Sequence, residues 1–198
     1  MLHCRNWLGD GWSVIIVVAV SLLRGINVGG RNKIRMADLR ELYASLGFRN
    51  ARTLLQSGNA VFETAESDMT LVGREIEAGI RRAFSLDIRV IMRSAAEFEA
   101  VLQRHPFSAE HLREARKVAV VFLSDAPTAD ALTELRASNT GPEIIHADGC
   151  ELYIFYTEGM ARSKLDNKRI ERHLRLVSTA RNWNTCLKLR KLLSEAGN

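Results

Sequence analysis

The residues best suited to hold a ligand lie in one short stretch, Leu22 to Lys33, LLRGINVGGRNK. It carries three glycines (Gly25, Gly29, Gly30), two asparagines (Asn27, Asn32) and three cations (Arg24, Arg31, Lys33). Glycine admits positive φ and close approach of the backbone. Asparagine tolerates the left-handed region and hydrogen-bonds locally. A loop of this composition can point several N–H groups and positive side chains at one place, which suits an anion. Two named phosphate motifs do not fit. Gly25-x4-Gly30 opens like a P-loop, but Arg31-Asn32 stands where Lys-Ser/Thr is required, and G-x-G-x-x-G is absent.

Two further segments offer chemistry. Gln56-Ser57-Gly58-Asn59 is a polar turn, and Ser57 is a candidate nucleophile. Neither loop contains a histidine or carboxylate, and acid–base chemistry needs a titrating group within hydrogen-bond reach. Lys33 or Lys164 could fill that role only if burial lowered its pKa. The second segment is Thr179 to Thr185, TARNWNT, ahead of the last helix. A helix N-terminus favours anions, and Arg181 adds a full charge there. The competing reading is that Asn182 or Asn184 caps the helix while Trp183 packs against the sheet. His105 and His111 lie six apart with no partner cysteines, so no metal and no cofactor are expected.

Composition sets the frame. A chain of 198 residues, 46% hydrophobic and 26% charged, is ordinary for a globular protein of one large domain or two small ones. The net charge is +5, and the last forty residues hold ten Arg/Lys against three Asp/Glu. That admits phosphate or nucleic-acid partners, and equally solvated helix faces. Three scattered cysteines (Cys4, Cys150, Cys186) without a C-x-x-C argue for a reducing cytoplasm over a disulfide framework or a zinc site. The apolar run over residues 14–23 is half the roughly 20 residues a membrane helix needs. Arg5 before it and Ala19-x-Ser21 make a poor secretory signal. Six of its ten residues are β-branched, which predicts a buried central strand.

The elements that must position the loops follow in order. Residues 1–13 show no periodicity and read as an irregular extension. A strand over 14–24 enters the glycine loop. Leu39, Leu42 and Leu46 predict a helix from Met36 that stops at Gly47. Ala51–Gln56 and Asn59–Glu63 around Ser57-Gly58 predict a hairpin. Asp68–Phe84 has one apolar helical face, and Asp87–Arg93 alternates as a strand. This β-α-β-β-α-β order is the ferredoxin-like split unit over residues 14–93. Residues 94–116 read as a helical linker, with Ser94-x-x-Glu97 as a capping box and a short second helix from Ser108. The pattern restarts over 117–198: a strand at Lys117–Ser124, a helix after Pro127, a hairpin at Asp148-Gly149, and a helix capped by Ser163-x-x-Asp166. A short fourth strand is expected at Arg175–Ser178, then a final helix from Asn184 with Cys186, Leu189 and Leu193 inward. The predicted fold is α+β, two tandem ferredoxin-like subdomains with antiparallel sheets and helices on one face. In such a unit strands one and two are parallel and strand three runs between them. The Gln56–Asn59 turn should therefore face the glycine loop at one sheet end.

These motifs resemble a known family. LLRGINVGGRNKIRMADLRELYASLGF, LLQSGNAVF, LYIFYTEGMARSKL and ARNWNTCLKL, in that order over about residues 20–195, are similar to the uncharacterised bacterial family called domain of unknown function 1697. The resemblance implies two ferredoxin-like subdomains and no established reaction. It also implies recurrent positions at Arg24, Gly25, Asn27, Gly29, Gly30, Asn32, Lys33, Gln56, Ser57, Gly58, Asn59, Gly159, Ser163, Lys164, Leu165, Arg181, Asn182, Trp183 and Lys188. Residues 1–13 depart from the family pattern.

Three functions stay open on this basis. The first is a cytoplasmic protein binding a phosphate-bearing small molecule or nucleic acid, with no membrane partner. The second is an enzyme of unknown reaction using Lys33, Lys164 or Ser57. The third is a scaffold or homodimer that pairs through exposed sheet edges.

Overall fold

The computed structural model describes residues 15–196. The extension expected over residues 1–13 lies outside them. The elements run β1 (Val17–Leu23), α1 (Met36–Ser45), β2 (Arg49–Leu54), β3 (Asn59–Thr64), α2 (Met69–Phe84), β4 (Val90–Ser94), α3 (Ala95–Gln103), α4 (Ala109–Arg113), β5 (Val118–Leu123), α5 (Ala129–Ser138), β6 (Ile144–Asp148), β7 (Glu151–Phe155), α6 (Asn167–Leu174), β8 (Ser178–Asn182) and α7 (Trp183–Ala196). The strands make two four-stranded antiparallel sheets, ordered β2-β3-β1-β4 and β6-β7-β5-β8. This is the expected α+β architecture of two ferredoxin-like halves. The chain up to Glu99 together with Leu189 onward makes one compact unit, and Ala100–Lys188 makes the other. No described helix is long and apolar enough to cross a membrane.

In the first unit the β-branched run becomes a central strand, as read. β1 pairs with β3 on one side and β4 on the other. Its residues Ala19 and Leu23 join Leu39, Tyr43, Val72, Ile76, Ile80 and Phe62 in one core. Gly47, at φ 82, ends α1 where expected. Its N–H reaches Ala44 O at 3.0 Å and that of Phe48 reaches Tyr43 O at 3.1 Å, the paired bonds of a Schellman stop. Asp68 caps α2 by accepting from Thr70 N and Leu71 N. The strand expected from Asp87 starts only at Val90. Its partner β1 ends opposite it, at Leu23, and on the other side of the strand the Glu77 carboxylate accepts from Val90 N at 2.8 Å and Arg89 Nε at 3.0 Å. That side chain takes the place of a ladder partner. The Ser94–Glu97 capping box forms at the start of α3, with Ser94 N to Glu97 Oε2 at 2.7 Å and Glu97 N to Ser94 Oγ at 3.2 Å.

The second unit repeats the plan, with two departures from the sequence reading. The fourth strand is not at Arg175–Ser178. Arg175 closes α6 in the left-handed region at φ 56, so the chain is still turning there. The ladder spans Ser178–Asn182, opposite Ala119–Leu123. Nor does Ser163 cap α6. Asp166 does, standing at the N-cap position and accepting from Arg169 N at 2.8 Å. Ser163 instead accepts from Leu165 N at 2.9 Å and hydrogen-bonds Glu143. Ile170 and Leu174 of α6 and Leu135 of α5 pack on Val121, Leu123, Leu152 and Ile154 of the sheet.

Candidate functional site

β1 leaves its sheet beside the β2–β3 turn, as the topology requires. Leu23 N donates to Gly58 O at 2.8 Å, and Asn27 Nδ2 donates to Gln56 O at 2.8 Å. The glycine loop and the Gln56–Asn59 turn are therefore joined at one sheet end. Gly29 and Gly30, at φ 59 and 76, form a tight turn closed by Arg31 N to Val28 O at 3.1 Å.

The loop's composition produces the left-handed backbone it suggested, and its asparagine side chains brace that backbone. Gly25, Asn27 and Asn32 sit at φ 69, 54 and 49. Asn27 is the hub. Its Nδ2 also donates to Ile34 O at 2.9 Å, and its Oδ1 accepts from Ile34 N at 3.0 Å. Asn32 Nδ2 holds Gly25 O at 3.1 Å, and Asn32 O accepts from Asn27 N at 3.1 Å. Arg24 N goes to Arg89 O at 2.9 Å. Across the turn, buried Asn59 donates to Leu54 O at 2.8 Å and to Ser57 Oγ at 3.1 Å. The asparagines are braces, and the loop is a folded hairpin.

The space for a ligand lies next to it. A cavity of about 440 Å³ is bounded by Asn27, Gly30, Lys33, Arg35, Asp38 and Gln56. α1 begins at its wall with Arg35 as N-cap, whose side chain caps nothing. Arg35 instead forks onto Asp38, with Nε to Oδ2 at 2.8 Å and Nη2 to Oδ1 at 2.6 Å. That hydrogen bonding holds the Asp38 carboxyl below its ordinary pKa. Arg31 and Lys33 are exposed, and neither makes an ion pair among the described residues. Arg35 and Asp38 were absent from the sequence candidates because no loop motif contains them. The signal that could have found them was the predicted helix start at Met36.

Lys164, Arg181, Asn182 and Trp183 belong to the second unit. Lys164 is exposed on the wall of a separate cavity. Arg181 lies within β8 and is buried, donating through Nη1 to Thr179 Oγ1 at 2.7 Å and Ala180 O at 2.9 Å. Burial lowers the pKa of its guanidinium to about 10. Asn182 Oδ1 accepts from Thr185 N at 2.9 Å and Thr185 Oγ1 at 3.0 Å, which closes the start of α7. Trp183 is buried edge-on to His105, with ring centres 5.0 Å apart. This end of α7 is thus capped and covered. The capped helix start with a buried Trp183 matches the competing sequence reading, which missed only that Arg181 and Asn182 end a strand.

Behind it, burial pushes the Cys186 thiol up to about 12, with Arg181 opposing. At about pH 8 iodoacetamide should therefore leave Cys186 unmodified in the native chain and alkylate it in urea, since the thiolate is the reacting species. Peptide mass mapping checks this. Equal labelling in both conditions would show that Cys186 is not sealed.

Comparisons with known proteins agree with this architecture. The conserved bacterial protein SP0830 from Streptococcus pneumoniae has a similar solved structure, with a TM-score of 0.69 and 25% identity. The match covers 90% of this chain and 99% of that one. No curated protein matches the sequence. The model of one family, described as Protein of unknown function (DUF1697), matches residues 17–153, and the chain belongs to that family.

Proposed function

We propose that this is a cytosolic protein that binds a phosphate-bearing small molecule between the Gly25–Lys33 loop and the first turn of α1. One observation carries the reading: α1 opens onto the cavity with no side-chain cap on its first N–H groups. Uncapped N–H groups at the positive end of a helix are the standard complement of a phosphate. Lys33 supplies a full charge at the same wall. Asp38 answers Arg35, so Arg35 orients more than it attracts. The volume, about 440 Å³, suits a small molecule. A nucleic acid would need aromatic platforms for its bases. Phe62, Tyr153 and Phe155 are buried. The reducing compartment is supported by Cys150 and Cys186, both free thiols.

The test is thermal melting of the full chain with pyrophosphate, AMP and glucose 6-phosphate at constant ionic strength. A ligand at a hundred times its Kd stabilises the native state by about 2.7 kcal/mol. At least one of the three should raise Tm, and Lys33→Gln should abolish the rise while leaving the unliganded Tm unchanged. An unaltered Tm with all three, or an equal rise in Lys33→Gln, would sink the proposal.

A further inference from the structure

The second unit carries a cavity of about 520 Å³ whose chemistry differs from that of the first. Lys164, Lys168, Arg169, Arg172 and His173 line it, against the single acid Asp166. Lys168 and Arg172 are one turn apart on α6. Like charges at this spacing destabilise a helix. The nearest carboxylates are those of Asp166, Glu171 and, on the Arg169 side, Glu143, which Ser163 hydrogen-bonds. Asp166 is turned to its cap on Arg169 N at 2.8 Å. Glu171, the helix's own acid, accepts from Ser178 N at 2.8 Å. Arg169 is committed to Ser138 O. Lys164, Lys168 and Arg172 make no ion pair among the described residues. Three unanswered cations thus share one concave site, where field lines concentrate and an anion is drawn in.

We infer that this cavity is a second anion site, taking a compact, multiply charged soluble phosphate such as a diphosphate or phosphomonoester. Arg172 offers a planar donor fork, and Lys164 and Lys168 offer point charges around it. The volume lies in the range of small-molecule sites. Ser138 O and the Asp166 cap fix Arg169 and the first turn of α6, so the wall is set before a ligand arrives. The site stands apart from the α1 reading, because none of its residues contributes to that cavity.

The experiment titrates the full chain with inorganic pyrophosphate at constant ionic strength and follows assigned backbone amide resonances. Saturable shifts are expected at Ser138, Lys164, Lys168 and Arg172. Losing charge-assisted hydrogen bonds should weaken binding roughly tenfold or more in Lys168→Gln/Arg172→Gln. Lys164→Gln, outside any helix, should weaken it in the same direction without altering α6. Lys33→Gln should leave these shifts intact, which separates this site from the one at α1. Three results would overturn the inference: no saturable shift at these amides, unchanged affinity in both variants, or retention on phosphatidic acid vesicles with no pyrophosphate binding.

Discussion

Gly58→Ala is expected to destabilise the protein by about 3 kcal/mol, combining two costs. Gly58 sits at φ +74, in the left-handed region, where a side chain costs about 1–2 kcal/mol. An added Cβ would also lie 2.7 Å from Leu23 Cβ and 2.8 Å from Cδ1 and Cγ1 of Ile26. Leu23 and Ile26 are fully buried, so neither can swing away. Overpacking of this kind costs about 1–3 kcal/mol. Gly149→Ala is the internal control: its φ is +56, and the nearest atom to an added Cβ is 3.9 Å away. It should show only the conformational part, about 1 kcal/mol. Urea denaturation of both variants measures the difference. Equal losses in the two would mean that the Gly58 turn can move off Leu23.

Asn27→Ala should cost a similar amount, about 3 kcal/mol, for a different reason. One amide side chain satisfies three main-chain groups: Ile34 N, Ile34 O and Gln56 O. The two half-buried Ile34 groups left without a partner cost about 1 kcal/mol each, while Gln56 O, whose bond is exposed, turns to water. Alanine must also hold the left-handed φ of 54 that asparagine tolerates. Asn27→Gly removes the side chain and relieves the backbone, so it should cost about 1 kcal/mol less. The specific readout is amide exchange at Ile34, whose N–H loses its acceptor in both variants. Unchanged protection there would show that Asn27 is not the brace between the two loops.

Much of this was legible in advance, and the particular residues show why. The β-branched run of β1, the apolar face of α2 and the Asp-Gly turn are strong local signals, and right-handed crossover rules place them in a sheet. The meeting of Leu23 with Gly58 follows from that topology alone. β8 was misplaced because Ser178–Asn182 is polar in sequence: only its partner β5 makes it a strand. Three of its five residues, Ser178, Thr179 and Asn182, carry helix-capping side chains, and Asn182 does cap α7, so the local reading was half right. At the glycine loop, residue types foretold positive φ. They could not foretell that the side chains of Asn27 and Asn32 would turn inward and bond main-chain groups, chiefly carbonyls. Nor could they show that Asp166 would accept from Arg169 N and Glu171 from Ser178 N, with no ion pair to Lys168 or Arg172 among the described residues. Composition reports which groups are present, while pairing depends on distances that only the folded chain sets.

The division of the chain has a consequence for biosynthesis. The first unit contains the opening strand and also the segment from Leu189 onward. Leu189 and Leu193 are buried, and Glu195 pairs with Arg52 of β2 at 3.4 Å. Translation delivers Arg52 early and Glu195 last. The intervening unit, Ala100–Lys188, is continuous in sequence and has all of its parts before that final segment emerges from the ribosome. Domains generally fold as units in order of synthesis. Here the half that begins first is completed by a segment that follows the whole of the other half in sequence.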